Sequence, residues 1–196
     1  RIAESVYNAD LQGVSDRVAF HRQDLFKFDI SQATVVTMYL LPSVNIRLRP
    51  RLLAELKPGT RIVSHDFDME DWRPDGKSTV RKNVFLWIVP AQIGGRWRAS
   101  VALPAGERSY DIEFRQKFQD IDGLARYDKK VAGLWNANLR GDRVSFVIVD
   151  DSGSLETNLY FDGRANGDAI EGVARRGIGS DEKQIEWRAV RIAPAS

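Results

Sequence analysis

The spacing of apolar residues along the chain changes near residue 75, and up to that point helical and extended patterns alternate. Apolar residues at Ile2, Val6 and Leu11 recur at helical spacing, with good helix formers between them. This spacing predicts a helix over 2–11 that stops at Gly13, because glycine favours the residue just past a helix.

Three segments in the same part of the chain have extended character. The segments 17–20 and 60–64 are short runs that contain valine or isoleucine, which predicts two strands. The segment 33–41 is a continuous β-branched apolar run, the pattern of a strand buried on both faces of a parallel sheet.

A helical pattern lies between the last two of these strands along the chain, over 44–56. Ser43 is the predicted N-cap, and Pro50 predicts either a kink or a helix start within the segment. A strand, a helix and a strand joined by tight loops predict the βαβ unit of a doubly wound α/β domain.

After residue 94, apolar and polar residues alternate along the chain, and the helical spacing of apolar residues ends. Apolar residues that share one predicted face are Tyr110, Ile112, Phe114 and Phe118, with charged residues between them. Turn signals between β-rich runs are Asp122-Gly123, Gly141-Asp142, Asp162-Gly163 and Gly167-Asp168. The pattern predicts six to eight antiparallel strands that close as a β-barrel or pack in a sandwich-like fold.

The fold class is therefore α/β plus all-β, with a predicted boundary between 1–82 and 83–196. The apolar run 83–91 is a further strand, and its sequence fits either half. The tryptophans expected in the core or lining a cavity of the β half are Trp87, Trp97, Trp135 and Trp187.

Composition excludes several classes of protein. The chain has no cysteine, which excludes disulfide scaffolds, cysteine-ligated metals and thiol catalysis. The formal net charge is +2 with both signs spread along the chain, so no nucleic-acid partner is expected. No apolar run approaches the roughly 20 residues of a membrane span.

The segments 17–43, 45–56 and 58–72 resemble class I, Rossmann-like S-adenosylmethionine-dependent methyltransferases. The resemblance is closest to a bacterial group with an appended C-terminal β domain, a strand ending in YLLP, and a VSHDFDMxDW segment. It covers about the first 90 residues and implies that 1–82 is the distal part of the methyltransferase sheet.

The resemblance implies a cofactor role for Asp24 and Leu25. They correspond to the acidic and apolar pair beside the adenine of S-adenosylmethionine. A carboxylate can accept a hydrogen bond from the exocyclic amine, and an apolar neighbour can cover the ring. Taken alone, Asp24 is more typical of a solvated turn.

Tyr39 and His65 are the predicted catalytic residues, because both follow strands whose carboxyl ends face the substrate in such folds. Tyr39 would line the pocket for cofactor and substrate, or form a hydrogen bond with an amine. The alternative is that Tyr39 is an aromatic residue of the core. His65 would take a proton from the acceptor; the alternative is a structural role. The family's substrate-binding Asn/Asp-Pro-Pro-aromatic motif is replaced here by Tyr-Leu-Leu-Pro, which disfavours an adenine-type or glutamine-type acceptor.

The acidic string formed by Asp66, Asp68, Glu70 and Asp71 lacks the central glycine of a calcium loop. A solvated loop is the favoured interpretation, and no metal is expected.

The family's Gly-rich loop and its ribose-binding acid do not occur in the sequence. The resemblance therefore implies a partial catalytic domain that lacks two strands and a helix, or a segment supplied by another chain. The implied function is methyl transfer to an unidentified acceptor, for example the amine of a protein lysine. The alternative is a non-enzymatic β module that binds an apolar ligand or a protein. The sequence is compatible with a homo-oligomer. A cytoplasmic location is favoured, and an exported form would need a signal peptide upstream of Arg1.

Overall fold

The computed structural model describes residues 1–103, 106–149, 157–177 and 182–194. The chain divides into two compact units, 1–30 and 31–196, which are described one after the other. Among the described residues, no helix has the length and apolar character needed to cross a membrane.

The first unit begins with helix α1, Ile2–Leu11, which confirms the predicted helix. Gly13 follows with a φ of 63°, a left-handed conformation that favours glycine. A short 3-10 helix, Ser15–Arg17, comes next.

The predicted strand over 17–20 is wrong. Val18 has extended dihedral angles, with φ −130° and ψ 142°. Extended backbone becomes a strand only when a neighbour hydrogen-bonds to it, and none of the described residues pairs with this segment.

The second unit opens with a four-stranded sheet in the order β1-β2-β4-β3. Its strands are β1 Val35–Met38, β2 Arg61–His65, β3 Gly76–Ser78 and β4 Val84–Ile88. β1 and β2 are parallel, and helix α2, Pro42–Glu55, connects them, as the βαβ pattern predicts. The other two pairings are antiparallel, so the sheet is mixed.

Strand β1 is not buried on both faces, contrary to the prediction. Val35 and Thr37 are exposed, and only Met38 is buried. A continuous apolar run does not distinguish an edge strand from a central one, and β1 is the edge of this sheet in the described order.

Helix α2 begins earlier along the chain than predicted. Leu41 occupies the N-cap position, Pro42 begins the helix, and the Ser43 N-cap is wrong. Proline is preorganised for the first helical position, where its missing N–H costs nothing. The helix continues through Pro50 to Glu55.

The strand predicted over 83–91 is confirmed, as β4. It hydrogen-bonds to β2 and β3, so it belongs to the α/β sheet and the barrel begins after it. The boundary between 82 and 83 itself stays a prediction.

The remaining strands form a closed antiparallel barrel in the order β10-β11-β12-β5-β6-β7-β8-β9, which confirms the predicted all-β half. Its strands are β5 Gly95–Leu103, β6 Gly106–Lys117, β7 Asp120–Tyr127, β8 Lys130–Arg140, β9 Arg143–Ile148, β10 Leu159–Asn166, β11 Ala169–Arg176 and β12 Lys183–Pro194.

Aromatic side chains fill the inside of the barrel. Phe146 stacks on Phe161 with 4.7 Å between ring centroids, and Trp187 packs edge-on against both. An eight-stranded barrel is just wide enough for side chains to fill it. Trp97 is buried as well, so these tryptophans belong to the core.

Trp135 is the exception among the predicted core tryptophans, because 63% of it is exposed. The register of β8 against β9 shifts between Trp135 and Asn138, and Asn136 has a φ of 49°. This bulge adds a residue and breaks the inward and outward alternation along β8.

Two of the four predicted turns are wrong. Gly123 lies inside β7 and Gly163 inside β10. A Cβ atom on Gly123 would lie 2.1 Å from the Glu113 carbonyl oxygen, so this glycine permits close strand approach. The turns at Gly141-Asp142 and Gly167-Asp168 are confirmed.

Ion pairs between neighbouring strands cover the outside of the barrel. Each joins an arginine on one strand to an acid on the next: Arg98–Asp111, Arg126–Glu113, Arg115–Asp122, Arg175–Asp162 and Arg188–Glu171. These arginines are neutralised locally and do not form a continuous basic track.

Candidate active site

Tyr39 and His65 meet at the carboxyl edge of the sheet. Tyr39 directly follows β1, and His65 is the last residue of β2. Their rings are 4.6 Å apart between centroids at an angle of 83°, an edge-to-face contact. The parallel pairing of β1 and β2 brings these two predicted site residues together.

Both rings are open to solvent. Tyr39 is 69% exposed, so it is not a core aromatic residue, and 37% of the His65 side chain is exposed. An aromatic ring and an imidazole that are accessible at this edge can contact a bound molecule.

Asp66 lies beside this ring pair. Its carboxylate oxygen Oδ2 is 3.5 Å from His65 Nδ1 and 3.8 Å from Lys82 Nζ. Its backbone has a φ of 65°, in the left-handed region, and its N–H donates to the carbonyl of Asn83 at 2.7 Å. The turn out of β2 is therefore fastened to the start of β4.

Residues 66–73, here called the site loop, are held by helix α2. Asn45 is fully buried, and its Nδ2 donates to Ser64 Oγ at 3.2 Å and to the Phe67 carbonyl at 3.4 Å. Ser64 Oγ donates to the same carbonyl at 2.7 Å. Asn45 Oδ1 is buried without a partner among the described residues.

Arg49, one turn along α2, binds the far end of the site loop. Its Nη1 donates to the Met69 carbonyl at 2.8 Å and pairs with the Asp71 carboxylate at 2.6 Å. Lys117 of the barrel approaches the other oxygen of Asp71 at 3.1 Å. The guanidinium also lies 5.3 Å from the centre of the Phe118 ring.

Residues of the barrel also hold the end of the site loop. Trp72 is fully buried, stacks on Phe118, and donates from its indole to Gln119 Oε1 at 3.0 Å. Gln119 Nε2 in turn donates to the Arg73 carbonyl at 2.6 Å. The turn between β6 and β7 therefore fixes the end of the loop that begins at the ring pair.

Ionisation of Asp71 makes the stability of the fold depend on pH. Hydrogen bonds from Lys117 and Arg49 hold the pKa of its carboxyl below the ordinary value of 3.8. A lowered folded-state pKa stabilises the fold above the ordinary pKa, and the contribution is lost as pH falls through the folded value. We expect Asp71→Asn to lower the urea midpoint at pH 7, and the difference from wild type to shrink at about pH 3. A difference that stayed constant would contradict this role.

The acids of the site loop face different partners. Asp68 Oδ1 accepts from the Glu70 N–H at 3.2 Å, while Asp66 and Asp71 pair with cations. The described residues contain no group of three metal-ligating side chains. Asp66 is more enclosed than a solvated loop predicts, with 21% of its side chain exposed.

Asp24 and Leu25 lie in the first unit, within a turn. Asp24 Oδ1 accepts from the Phe26 N–H at 2.9 Å, and the Asp24 carbonyl accepts from Lys27 and Phe28. Asp24 is exposed, and Leu25 is 37% exposed. An exposed carboxylate beside an accessible apolar side chain suits an adenine.

Asn45, Asp66 and Gln119 support the site but are not evident from the motifs. Asn45 shares the buried stripe of α2 with Leu48 and Leu52. A polar residue on an apolar stripe indicates a buried hydrogen-bonding role, so this signal was available in the sequence. Gln119 is far away in sequence, and nothing in its local pattern indicates the contact.

Comparison with known proteins finds similarity in the first part of the chain. Residues 1–76 match the family model of the ANTKMT methyltransferase domain. A protein-lysine N-methyltransferase of Saccharolobus islandicus is 50% identical over 96 residues, which cover 45% of this chain and 58% of that protein. These matches confirm the predicted resemblance to methyltransferases.

A mammalian protein and a solved structure also match. The mouse adenine nucleotide translocase lysine N-methyltransferase is 40% identical over 62 residues, 32% of this chain and 27% of that protein. An RNA methyltransferase from Salinibacter ruber in complex with S-adenosyl-L-homocysteine is 51% identical with a TM-score of 0.45, over 46% of this chain and 60% of that one. The chain spans only part of the length of each of these proteins.

Proposed function

We propose that this chain is part of an S-adenosylmethionine-dependent methyltransferase whose acceptor is a lysine side chain of a protein. The contact of Tyr39 with His65 at the carboxyl edge of β1 and β2 carries the proposal. Both residues lie within the stretch that matches the ANTKMT methyltransferase domain. Two of the relatives are named as lysine N-methyltransferases, and these names support a lysine acceptor.

The residues of the first unit fit the adenine end of the cofactor. Asp24 would accept from the exocyclic amine, and Leu25 would cover the ring. Tyr39, at the edge of the sheet, is a further proposed cofactor contact. S-adenosylmethionine supplies an electrophilic methyl group on a sulfonium when bound. We also propose that the chain belongs to the narrower bacterial group with an appended β domain, since its barrel directly follows the methyltransferase-like part.

The acceptor nitrogen must lose a proton before it can accept a methyl group, because an ammonium has no lone pair. His65 would receive that proton at its imidazole, and its position at the sheet edge leaves room for an incoming amine. Tyr39 would hold the alkyl chain of the lysine against its exposed ring and limit the water around the nitrogen. Side chains fill the interior of the barrel as far as the structure describes it, which does not favour an apolar ligand bound inside.

Substitution of His65 tests the proposal. The sequence has two histidines, so His65→Asn can be compared with His21→Asn in transfer of labelled methyl from S-adenosylmethionine to poly-L-lysine. The longest natural form of the protein should be used. We expect His65→Asn to lower kcat by about 100-fold, the lower range for loss of a general base, and His21→Asn to leave it unchanged.

Calorimetry with S-adenosylhomocysteine provides the control for the cofactor site. Both variants should bind it as wild type does, because neither residue is assigned to the adenine. Failure of the wild-type protein to bind it, or equal activity on poly-L-arginine, would contradict a lysine methyltransferase.

A further inference from the structure

We propose that Asp66 is the carboxylate that binds the ammonium group of the acceptor lysine, and that Lys82 occupies it until an acceptor displaces it. The proposal rests on the proposed function, because methyl transfer to an amine requires a site for that amine. It assigns Asp66 as a residue that binds the amine, and Lys82 as a side chain that competes with the amine for Asp66.

A single oxygen atom carries the geometric argument. Asp66 Oδ2 faces two cationic or potentially cationic side chains, Lys82 Nζ at 3.8 Å and His65 Nδ1 at 3.5 Å. The carboxylate is only 21% exposed, so its attraction for a cation is less screened than that of a solvated acid. A lysine ammonium therefore already lies where the proposed substrate group would bind, beside the proposed base.

The backbone at Asp66 supports a functional role. A φ of 65° is uncommon for a residue other than glycine, and such conformations gather at functional sites. The conformation is secured by the hydrogen bond from the Asp66 N–H to the Asn83 carbonyl. It sets the carboxylate next to the last residue of β2, where the ring pair lies.

Two other acids of the site loop, Asp68 and Asp71, are committed elsewhere. Asp71 is neutralised by Arg49 and Lys117, and Asp68 caps the Glu70 N–H. The exposed ring of Tyr39 adds a second feature that attracts cations, since it contacts His65 at the same edge.

Lys82 has the properties of a displaceable occupant. Its side chain is 65% exposed, in the connection from β3 to β4 that is exposed from 79 to 83. A contact of 3.8 Å between a lysine and a partly exposed acid is weak. An acceptor that also fills the space beside Tyr39 can therefore replace it.

Binding of n-butylammonium, which copies the lysine side chain, tests the proposal without any methyl transfer. The ring protons of His65 should shift in NMR spectra as n-butylammonium is added, and those of His21 should stay in place as an internal control. n-Butanol has the same alkyl chain without the charge and should leave both unchanged. Equal shifts at the two histidines, or none at His65, would overturn the proposal.

Two pairs of variants test which side chains determine the affinity for n-butylammonium. Asp66→Asn keeps a side chain that tolerates the left-handed backbone, and it should weaken n-butylammonium binding about fivefold or more. Glu70→Gln, an acid of the same loop, should bind as wild type does. Lys82→Gln should tighten binding about twofold by removing the competitor, and Arg81→Gln should not change it.

The outcomes separate this proposal from the proposed reaction. Wild-type affinity in Asp66→Asn, or weaker binding in Lys82→Gln, would overturn the ammonium site even if poly-L-lysine is methylated. The expected shifts in a protein that methylates no lysine would leave the ammonium site in place and contradict the proposed reaction.

Discussion

Replacement of Trp72 by alanine is expected to lower the free energy of unfolding by about 4 kcal/mol, within the range for deleting a large buried aromatic side chain. Trp72 is fully buried between Trp87 and Phe118, with ring centroids 6.0 and 5.7 Å away. The variant also leaves the Gln119 side-chain oxygen without its indole donor in a buried position, which adds to the loss.

Equilibrium unfolding in urea measures this effect, and Trp135→Ala is the matched control. Trp135 is 63% exposed on the outside of the barrel, so its replacement should change the free energy by less than about 0.5 kcal/mol. Similar losses in the two variants would contradict the assignment of Trp72 as the link between site loop and barrel.

Trp72→Ala should also weaken the site without touching it. The indole and Gln119 together fix the end of the site loop to the turn between β6 and β7. With that support removed, the loop that carries Asp66 at its start can shift, and misplacement of reacting groups is costly in rate. The proposed methyl transfer to poly-L-lysine should therefore fall even at temperatures where the variant is folded.

Gly172→Ala is expected to lower the free energy of unfolding by about 3 kcal/mol, the upper part of the usual range for overpacking. A Cβ atom there would lie 2.0 Å from the Asp162 carbonyl oxygen and 2.5 Å from the Gly163 Cα. Both obstacles are backbone atoms of the adjacent strand, so the clash is relieved only by moving β10 away from β11.

Gly133→Ala is the control for this prediction. Gly133 lies in β8, and a Cβ atom there would meet nothing within 4 Å. Alanine at this position should be neutral or stabilising by about a few tenths of a kcal/mol, because it restricts the unfolded chain. The comparison is a pair of urea unfolding curves, and a destabilisation of both variants would show that any side chain in these strands is disruptive.

The sequence predicts elements whose signals are local. Helix α1 and the parallel pair β1 and β2 follow from spacing and β-branched runs, and the barrel follows from alternation and turn residues. The strand predicted over 17–20 fails because a strand needs a partner, which local sequence does not contain. Gly123 and Gly163 resemble turns in sequence because glycine serves close strand packing as well as turns.

Some residues of the candidate site are likewise predictable from local sequence, and others are not. Tyr39 and His65 are predictable because each ends a parallel strand, and such ends share an edge. Asp66 is obscured by neighbouring acids, because composition alone does not show which carboxylate is enclosed. The support from Phe118 and Gln119 depends on how the barrel packs on the sheet, which no motif in either half encodes.

The arginine and acid pairs on the outside of the barrel oppose some misalignments of neighbouring strands. A slip of two residues preserves inward and outward alternation, so the apolar pattern alone does not oppose it. Such a slip between β11 and β12 would place Glu171 opposite Glu186 instead of Arg188, and one between β5 and β6 would place Arg96 opposite Arg115. Like charges directly across a ladder are unfavourable. Exposed pairs that add little stability in the native state therefore disfavour those slips that bring like charges together.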